Sequence, residues 1–403
     1  MKKIVTFLLM IAGTLAGYSQ NPADTLQEKI ETLTGRLNSL DERVAVNESD
    51  LGKLNKIKLS GYIQAQWESY EGGLVKPNEP GNTFFIRRAR IKFTYEAADG
   101  IRFVLQPDFS TGIFSLKDAY TLAYIPKLKS LTLWAGQFNR PNYEVEYSSS
   151  QREVLERSRV IRTIYPGERE VGAKLEYNPT NVPLKLQLAM LNGNFKGVEQ
   201  LDADTRKDIM VRAVYSFKVP AAGIGIDVGA HGYYGGLKAK IKYVSDYENT
   251  MDSLDSNVGS YLDKKWGGVE IQAFFDVLGG MALKGEYIAG KNAFAPDIKT
   301  NPSVTNPYQS RQFAGYYAYF IKNIGKKNQF VARYDYFDPN TNLSSDAAKK
   351  DVYYKTLTLA WQYYLNENIR FSLNYGIAKN ETNATYPEDI KDNVFGIRMQ
   401  AKF

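Results

Sequence analysis

From Ile57 to Phe403 apolar and polar residues alternate with a period of two, in segments of roughly ten residues, and no other feature limits the fold so strongly. Leu59, Gly61, Ile63, Ala65 and Trp67 alternate with Ser60, Tyr62, Gln64, Gln66 and Glu68. Leu184, Leu186, Leu188 and Met190 alternate with Lys185, Gln187 and Ala189, and Phe395, Ile397, Met399, Ala401 and Phe403 with Gly396, Arg398, Gln400 and Lys402. About sixteen such segments lie near 58–70, 83–96, 101–110, 116–124, 131–140, 170–177, 184–192, 208–217, 223–234, 266–276, 280–289, 312–321, 328–337, 352–364, 368–376 and 393–403. Short connections alternate with long ones, notably 141–169, 235–265 and 290–311. Dyad alternation with short turns at one end and long loops at the other predicts an all-β transmembrane antiparallel barrel. A soluble sandwich also alternates, but it needs neither that rhythm nor an apolar exposed face on nearly every strand.

Composition agrees with a membrane boundary. There are 29 Tyr and 20 Phe, rings that suit the interface between lipid and water. Cysteine is absent and His231 is the single histidine, so disulfides, thiolate metal sites and a cysteine nucleophile are excluded. We expect no metal site and no cofactor. The net charge of +7 permits anionic partners without demanding nucleic acid, and none is expected.

Three domains are expected: a signal peptide at 1–19, a periplasmic coiled-coil segment at 20–56 and an outer-membrane barrel at 57–403. Lys2 and Lys3 precede an apolar run from Ile4 to Ala16, and Gly17, Tyr18 and Ser19 offer small residues at the −3 and −1 positions for cleavage near Gln20. Leu26, Ile30, Leu33, Leu37, Leu40, Val44, Leu51 and Leu54 keep a heptad rhythm, with Asn47 in the one remaining seam position. The narrow seam favours self-association over packing on the chain's own domain. An even strand number sets both barrel termini in the periplasm.

Parity assigns the faces. Phe85, Ala89, Ile91, Phe93 and Tyr95 share one side of their segment, and Arg88, Arg90 and Lys92 the other. A charge facing lipid at mid-membrane costs about 2–4 kcal/mol, so these cations are expected to line the lumen as a vertical row. The same logic sends Arg102, Lys117, Lys174, Lys185, Arg212, Lys284, Arg333, Arg370 and Arg398 inward, with Asp108, Glu176, Asp227, Glu270, Glu286 and Asp335. Rows of cations favour anions; mutual pairing of these charges is the competing reading. The connection 141–169 carries Arg152, Arg157, Arg159, Arg162 and Arg169 with Glu153 and Glu156. Folded inward, with a short helix near 150–159, it would narrow the channel with guanidinium groups suited to phosphate. As a surface loop it would instead meet lipopolysaccharide. Enzymatic signals are weak: the glycines at 223, 225 and 229 lie in an alternating strand, and Ser148–Ser150 have no histidine in context. No catalytic residue is assigned.

Several stretches carry a resemblance: FFIRRARIKFTYE at 84–96, LKDAYTLAY at 116–124, WAGQFNRP at 134–141, SSSQREVLERS at 148–158, LNGN at 191–194, ARYDYFDP at 332–339 and FGIRMQAKF at 395–403. In this order the chain resembles the phosphate-selective porin O and P family of outer-membrane channels. The resemblance implies a sixteen-stranded homotrimeric porin whose third outer loop, here 141–169, folds inward as the constriction. It carries over to Arg87, Arg88 and Arg90 in the RRAR motif and to Glu156 and Arg157 in the loop, with Arg87, off the lumen parity, expected at the rim. Phe403 would be the terminal assembly signal. The expected function is diffusion of small anionic solutes, phosphate among them. A general or saccharide porin and a structural or adhesive surface protein are the alternatives.

Overall fold

The computed structural model describes residues 22–54, 56–72, 81–110, 112, 114–125, 128–194, 202, 204–246, 248, 250–276, 279–295 and 307–403. The expected signal peptide lies outside the described residues. A helix runs from Pro22 to Leu54 through the heptad segment, and its seam residues Ile30, Leu33, Leu37, Leu40 and Val44 are exposed. By contacts it belongs to a unit of its own, Met1–Ile57, apart from Lys58–Phe403.

The second unit is a closed antiparallel barrel of 16 wall strands within an 18-stranded sheet. Its strands are β1 (Ile57–Tyr70), β2 (Asn82–Ala98), β3 (Ile101–Asp108), β4 (Ser115–Ile125), β5 (Leu128–Asn139), β6 (Arg169–Tyr177), β7 (Leu184–Leu191), β8 (Asp208–Val219) and β9 (Ile224–Lys238). Two short strands, β10 (Tyr243–Ser245) and β11 (Met251–Ser253), interrupt the next connection. The wall then resumes with β12 (Tyr261–Phe275), β13 (Met281–Phe294), β14 (Tyr308–Ile324), β15 (Asn328–Asp338), β16 (Tyr354–Tyr364), β17 (Ile369–Asn380) and β18 (Val394–Lys402).

Each alternating segment of the sequence has become one wall strand. The sheet closes where β1 pairs with β18, Trp67 opposite Ile397 and Gln66 opposite Arg398. In lipid an open edge would strand backbone polar groups, so closure is obligatory. Phe403 completes the seam: its N–H donates to the Gly61 carbonyl at 3.0 Å and its carbonyl accepts from the Gly61 N–H at 3.1 Å. Along β18 the side chains of Phe395, Ile397 and Met399 are exposed while Arg398 and Gln400 are buried. The barrel is apolar outside and polar within, the reverse of a soluble protein.

The alternation breaks once where it matters. Phe84 and Ile86 face outward, yet Arg88, on the same parity, is buried in the interior. Arg87 sits between them and also turns inward, so it is not the rim residue that parity predicts: its Nε and Nη2 donate to Glu156 at 2.6 and 2.8 Å.

Candidate channel constriction

Between β5 and β6 the chain enters the barrel. Its apolar residues Val145, Val154, Val160, Ile161, Ile164 and Tyr165 pack inside against Trp266, Phe313, Tyr317 and Phe337 of the wall, forming one buried cluster. The segment carries two short helices, Tyr143–Glu146 and Arg159–Ile164. Of residues 150–159, where the sequence predicts a helix, 150–158 are instead turns and irregular backbone flanked by those helices, and only Arg159 is helical.

That irregular stretch cannot satisfy its own carbonyls, so the wall does so. Gln64 donates to the Ser149 carbonyl at 3.1 Å, Gln400 to Ser150 at 3.0 Å and Gln362 to Glu153. Arg398 donates to the Leu155 carbonyl at 2.9 Å and Arg333 to that of Glu156 at 2.6 Å, while the Leu155 N–H donates to Asn374 Oδ1 at 3.1 Å. These amides read in the sequence as ordinary lumen residues; only the fold shows them as clamps.

The predicted charges divide into groups. Around Glu156 gather Arg87, Arg88, Arg152 and Arg398, the last with Nη2 3.5 Å from the carboxylate, while Arg152 also pairs with Glu168 at 3.4 Å. Burial pushes the Glu156 carboxyl up, but Arg87, Arg88 and Arg398 outweigh it and hold the group well below the usual range. Arg88 donates to Gln64 at 2.9 Å and its Nε has no partner; Nε and Nη1 of Arg152 and Nε of Arg370 likewise have none. Buried guanidinium donors without acceptors are uncommon and costly. Arg90 keeps its inward place in the row, but its charge is paired with Asp108 at 2.7 Å and it donates to Tyr62 and Ser149. Lys92 remains beside it, half-buried.

A second group surrounds Glu146, which the sequence reading missed. Lys174 at 3.3 Å, Lys185 at 3.2 Å and Arg212 at 2.9 Å converge on it, and Gln187 donates at 2.7 Å. Burial raises the Glu146 pKa, but the three cations outweigh burial and hold it at about 2. Arg212 also grips Glu270 at 2.6 Å, Lys284 reaches Glu153 at 2.6 Å, and Arg333 meets Asp335 at 3.0 Å.

The remaining loop arginines differ in role. Arg157 is tied within the loop: it donates to the Glu144 and Val145 carbonyls at 2.6 and 3.0 Å and pairs with Glu168. Arg159 lies over the Tyr354 ring at 3.8 Å and pairs with Asp392 at 3.3 Å. Arg162 lines a cavity of about 370 Å³ with Arg159, Arg333, Glu156 and Asp392. A second cavity of about 290 Å³ has five cations (Arg90, Lys92, Arg157, Arg169, Lys402) and three carboxylates (Asp118, Glu146, Glu168) on its wall. Arg102 joins neither: its side chain is 47% exposed, 3.6 Å from Glu96.

The family profile described as phosphate-selective porin O and P matches residues 57–403. No curated protein matches the chain by sequence. Among solved structures, the anion-selective porin from Comamonas acidovorans is 12% identical, with a TM-score of 0.54 over 86% of this chain and 99% of that one. The outer membrane channel DcaP of Acinetobacter baumannii is 12% identical, with a TM-score of 0.56 over 86% and 97%. The trimer form of in-vitro folded OmpT from Vibrio cholerae is 12% identical, with a TM-score of 0.53 over 86% and 99%. Likenesses at this identity carry the fold: a porin barrel.

Proposed function

Because this chain belongs to the phosphate-selective porin O and P family, diffusion channels of the bacterial outer membrane, we propose that it passes small anions in preference to cations, phosphate-like oxyanions among them. The observation that carries this is the arginine group at the constriction, where Arg87, Arg88, Arg152 and Arg398 outnumber the carboxylates paired with them, Glu156 and, for Arg152, Glu168 at 3.4 Å. Arg88, Arg152 and Arg370 keep buried donors without acceptors. Planar forks of this kind match an oxyanion in two hydrogen bonds at once. Passage needs such sites to hold weakly and release, and neighbouring cations along the wall allow that. The protein acts as a channel, with no catalytic role.

We further propose a homotrimer in outer-membrane lipid and lipopolysaccharide, in which the segment 20–56, freed of a signal peptide at 1–19, self-associates in the periplasm. The exposed seam of helix Pro22–Leu54 supports this, as does the trimeric form of the Vibrio cholerae relative.

The test of selectivity is the reversal potential of single channels in a salt gradient. Wild type should be anion-selective. Replacing Arg88, Arg90 and Lys92 with Gln should move the potential toward cation preference, with Arg88 and Lys92 dominating because Asp108 already neutralises Arg90. Cation selectivity in the wild type would overturn the reading in favour of a general or saccharide porin, and absence of conductance would favour a structural protein.

A further inference from the structure

Three neighbouring wall strands bring His231 of β9, Glu270 of β12 and Glu286 of β13 together on the lumen side. One donor atom from each lies within 4.8 Å of the others, and His231 Nδ1 stands 3.4 Å from Glu286 Oε1. All three residues are buried. Neither ring nitrogen of His231 has a hydrogen-bond partner, and its side chain is 0% exposed. A buried imidazole normally has both nitrogens engaged. Two ligand atoms of a tetrahedral ion with bonds of about 2.1 Å sit about 3.4 Å apart, the separation seen between His231 and Glu286.

The surroundings are shaped for the group. Gly268 lies opposite His231, and a Cβ there would come within 2.7 Å of the ring Nε2; at Gly229 a Cβ would come within 2.8 Å of the Glu270 side chain. Glycine at both positions leaves room for the imidazole and the carboxylate. Glu270 and Glu286 face each other directly across the β12–β13 pair, an arrangement that like charges disfavour. Each has both oxygens oriented by hydrogen bonds: Arg212 donates to Glu270 at 2.6 and 3.1 Å, while Tyr317 and Asn142 each donate to Glu286 at 2.5 Å. Hydrogen-bonding partners that orient ligating carboxylates in this way form the outer shell of metal centres.

We propose that His231, Glu270 and Glu286 form a binding site for a divalent transition-metal ion, zinc(II) fitting best. One imidazole nitrogen with two carboxylates suits borderline ions, whereas calcium and magnesium require more oxygen ligands than this pocket supplies. The ion would offset the repulsion of the facing carboxylates and leave a position for water. Since Asn142 belongs to the inward segment, it also braces the foot of that segment against the wall. The residues are widely spaced in sequence, which is why no motif discloses them.

Full-length protein without a histidine tag, stripped with a chelator in detergent, should be titrated with zinc and, as a spectroscopic probe, cobalt(II). With one histidine and no cysteine in the chain, a nitrogen-ligand signature in the cobalt spectrum reports His231 alone. One zinc per chain is expected, uncompeted by excess calcium or magnesium. His231→Ala and Gly268→Ala should each weaken binding by about tenfold or more, and Asn142→Ala by about tenfold. Heat-modifiable migration verifies that each variant barrel is folded, and if one fails to fold the other carries the test. Zinc failing to bind wild type, or binding a folded His231→Ala or Gly268→Ala barrel as tightly as wild type, would overturn the site in favour of a carboxyl pair sharing a proton or an imidazolium paired with Glu286.

Discussion

The inward segment between β5 and β6 is held along two flanks by different forces. One flank is apolar: Val160, Ile161, Ile164 and Tyr165 sit under Trp266, Phe313 and Phe337. The other is a row of single hydrogen bonds from Gln64, Gln362, Gln400, Arg398 and Arg333 to backbone carbonyls. Burial of an aliphatic side chain is worth about 1.5–3 kcal/mol; the glutamine hydrogen bonds net about 0.5–1.5 kcal/mol each, and only the two guanidinium donors reach the apolar value, at about 1.5–3 kcal/mol. The apolar flank therefore decides whether the segment stays inside, and the polar flank decides which groups it presents to a passing solute. An inward loop can thus be anchored strongly while its solute-facing edge remains polar and wet.

The sharpest way to break that division is to remove the anchor. Ile161→Ala and Ile164→Ala each empty a fully buried position and should cost about 2–5 kcal/mol. Together they should release the segment, so that single-channel conductance rises, flicker appears and residues 147–158 become sensitive to protease in intact vesicles. Wild-type conductance in the double variant would mean that the hydrogen bonds alone hold the segment.

Next in size is a change that leaves the anchor alone. Glu156→Gln removes the carboxylate that pairs with Arg87 and Arg398, beside Arg88 and Arg152, while keeping its volume. A unit charge about 10 Å from the ion path is worth about 0.4–1.7 kcal/mol between water-like and surface-like dielectrics. The anion-to-cation permeability ratio should therefore rise about two- to twentyfold at low salt and less at high salt. A ratio that falls, or that ignores salt, would show that these arginines do not see the permeating ion.

The same division explains what could be read in advance. The strands were legible because lipid outside and water inside force a period of two on every wall segment, and Phe371, Leu373 and Tyr375 show it as clearly as Leu59, Ile63 and Trp67. The inward loop was legible only through its resemblance to a family. Gln64 and Gln400 look like any lumen residue; their role depends on the β1–β18 register, which joins positions at opposite ends of the chain. Arg87 was misplaced because parity assumes an unbroken strand, and the alternation slips between Ile86 and Arg88. Glu146 escaped notice because its three cations come from β6, β7 and β8, and no spacing in the sequence unites them.

A smaller effect belongs to the clamps. Gln362→Leu or Gln400→Leu leaves one carbonyl of the segment without its donor, at a cost of about 1–3 kcal/mol. With the apolar flank intact, the segment should stay inside: mean conductance should hold while open-channel noise increases. Loss of the constriction from either single variant would assign the anchoring to the polar flank instead.

The smallest expected effect is a resistance to acid. Glu146 joins helix Tyr143–Glu146 to Lys174, Lys185 and Arg212, and these cations hold its pKa at about 2, against about 4.3 for a free glutamate. A carboxylate with a depressed folded pKa contributes stability that is fully present above the free value and is lost as pH falls through the folded value. The contact should therefore begin to weaken below about pH 4.3 and disappear only near pH 2. Glu156, held low by its own arginines, behaves in the same direction. Single-channel conductance and noise should stay flat from neutral pH to about pH 4, and loosening should appear only on further acidification. Glu146→Gln removes the titrating group and should abolish its share of that acid step while weakening the helix contact at every pH. Loosening that sets in above pH 5 and survives Glu146→Gln would place the acid-sensitive fastening elsewhere on the polar flank.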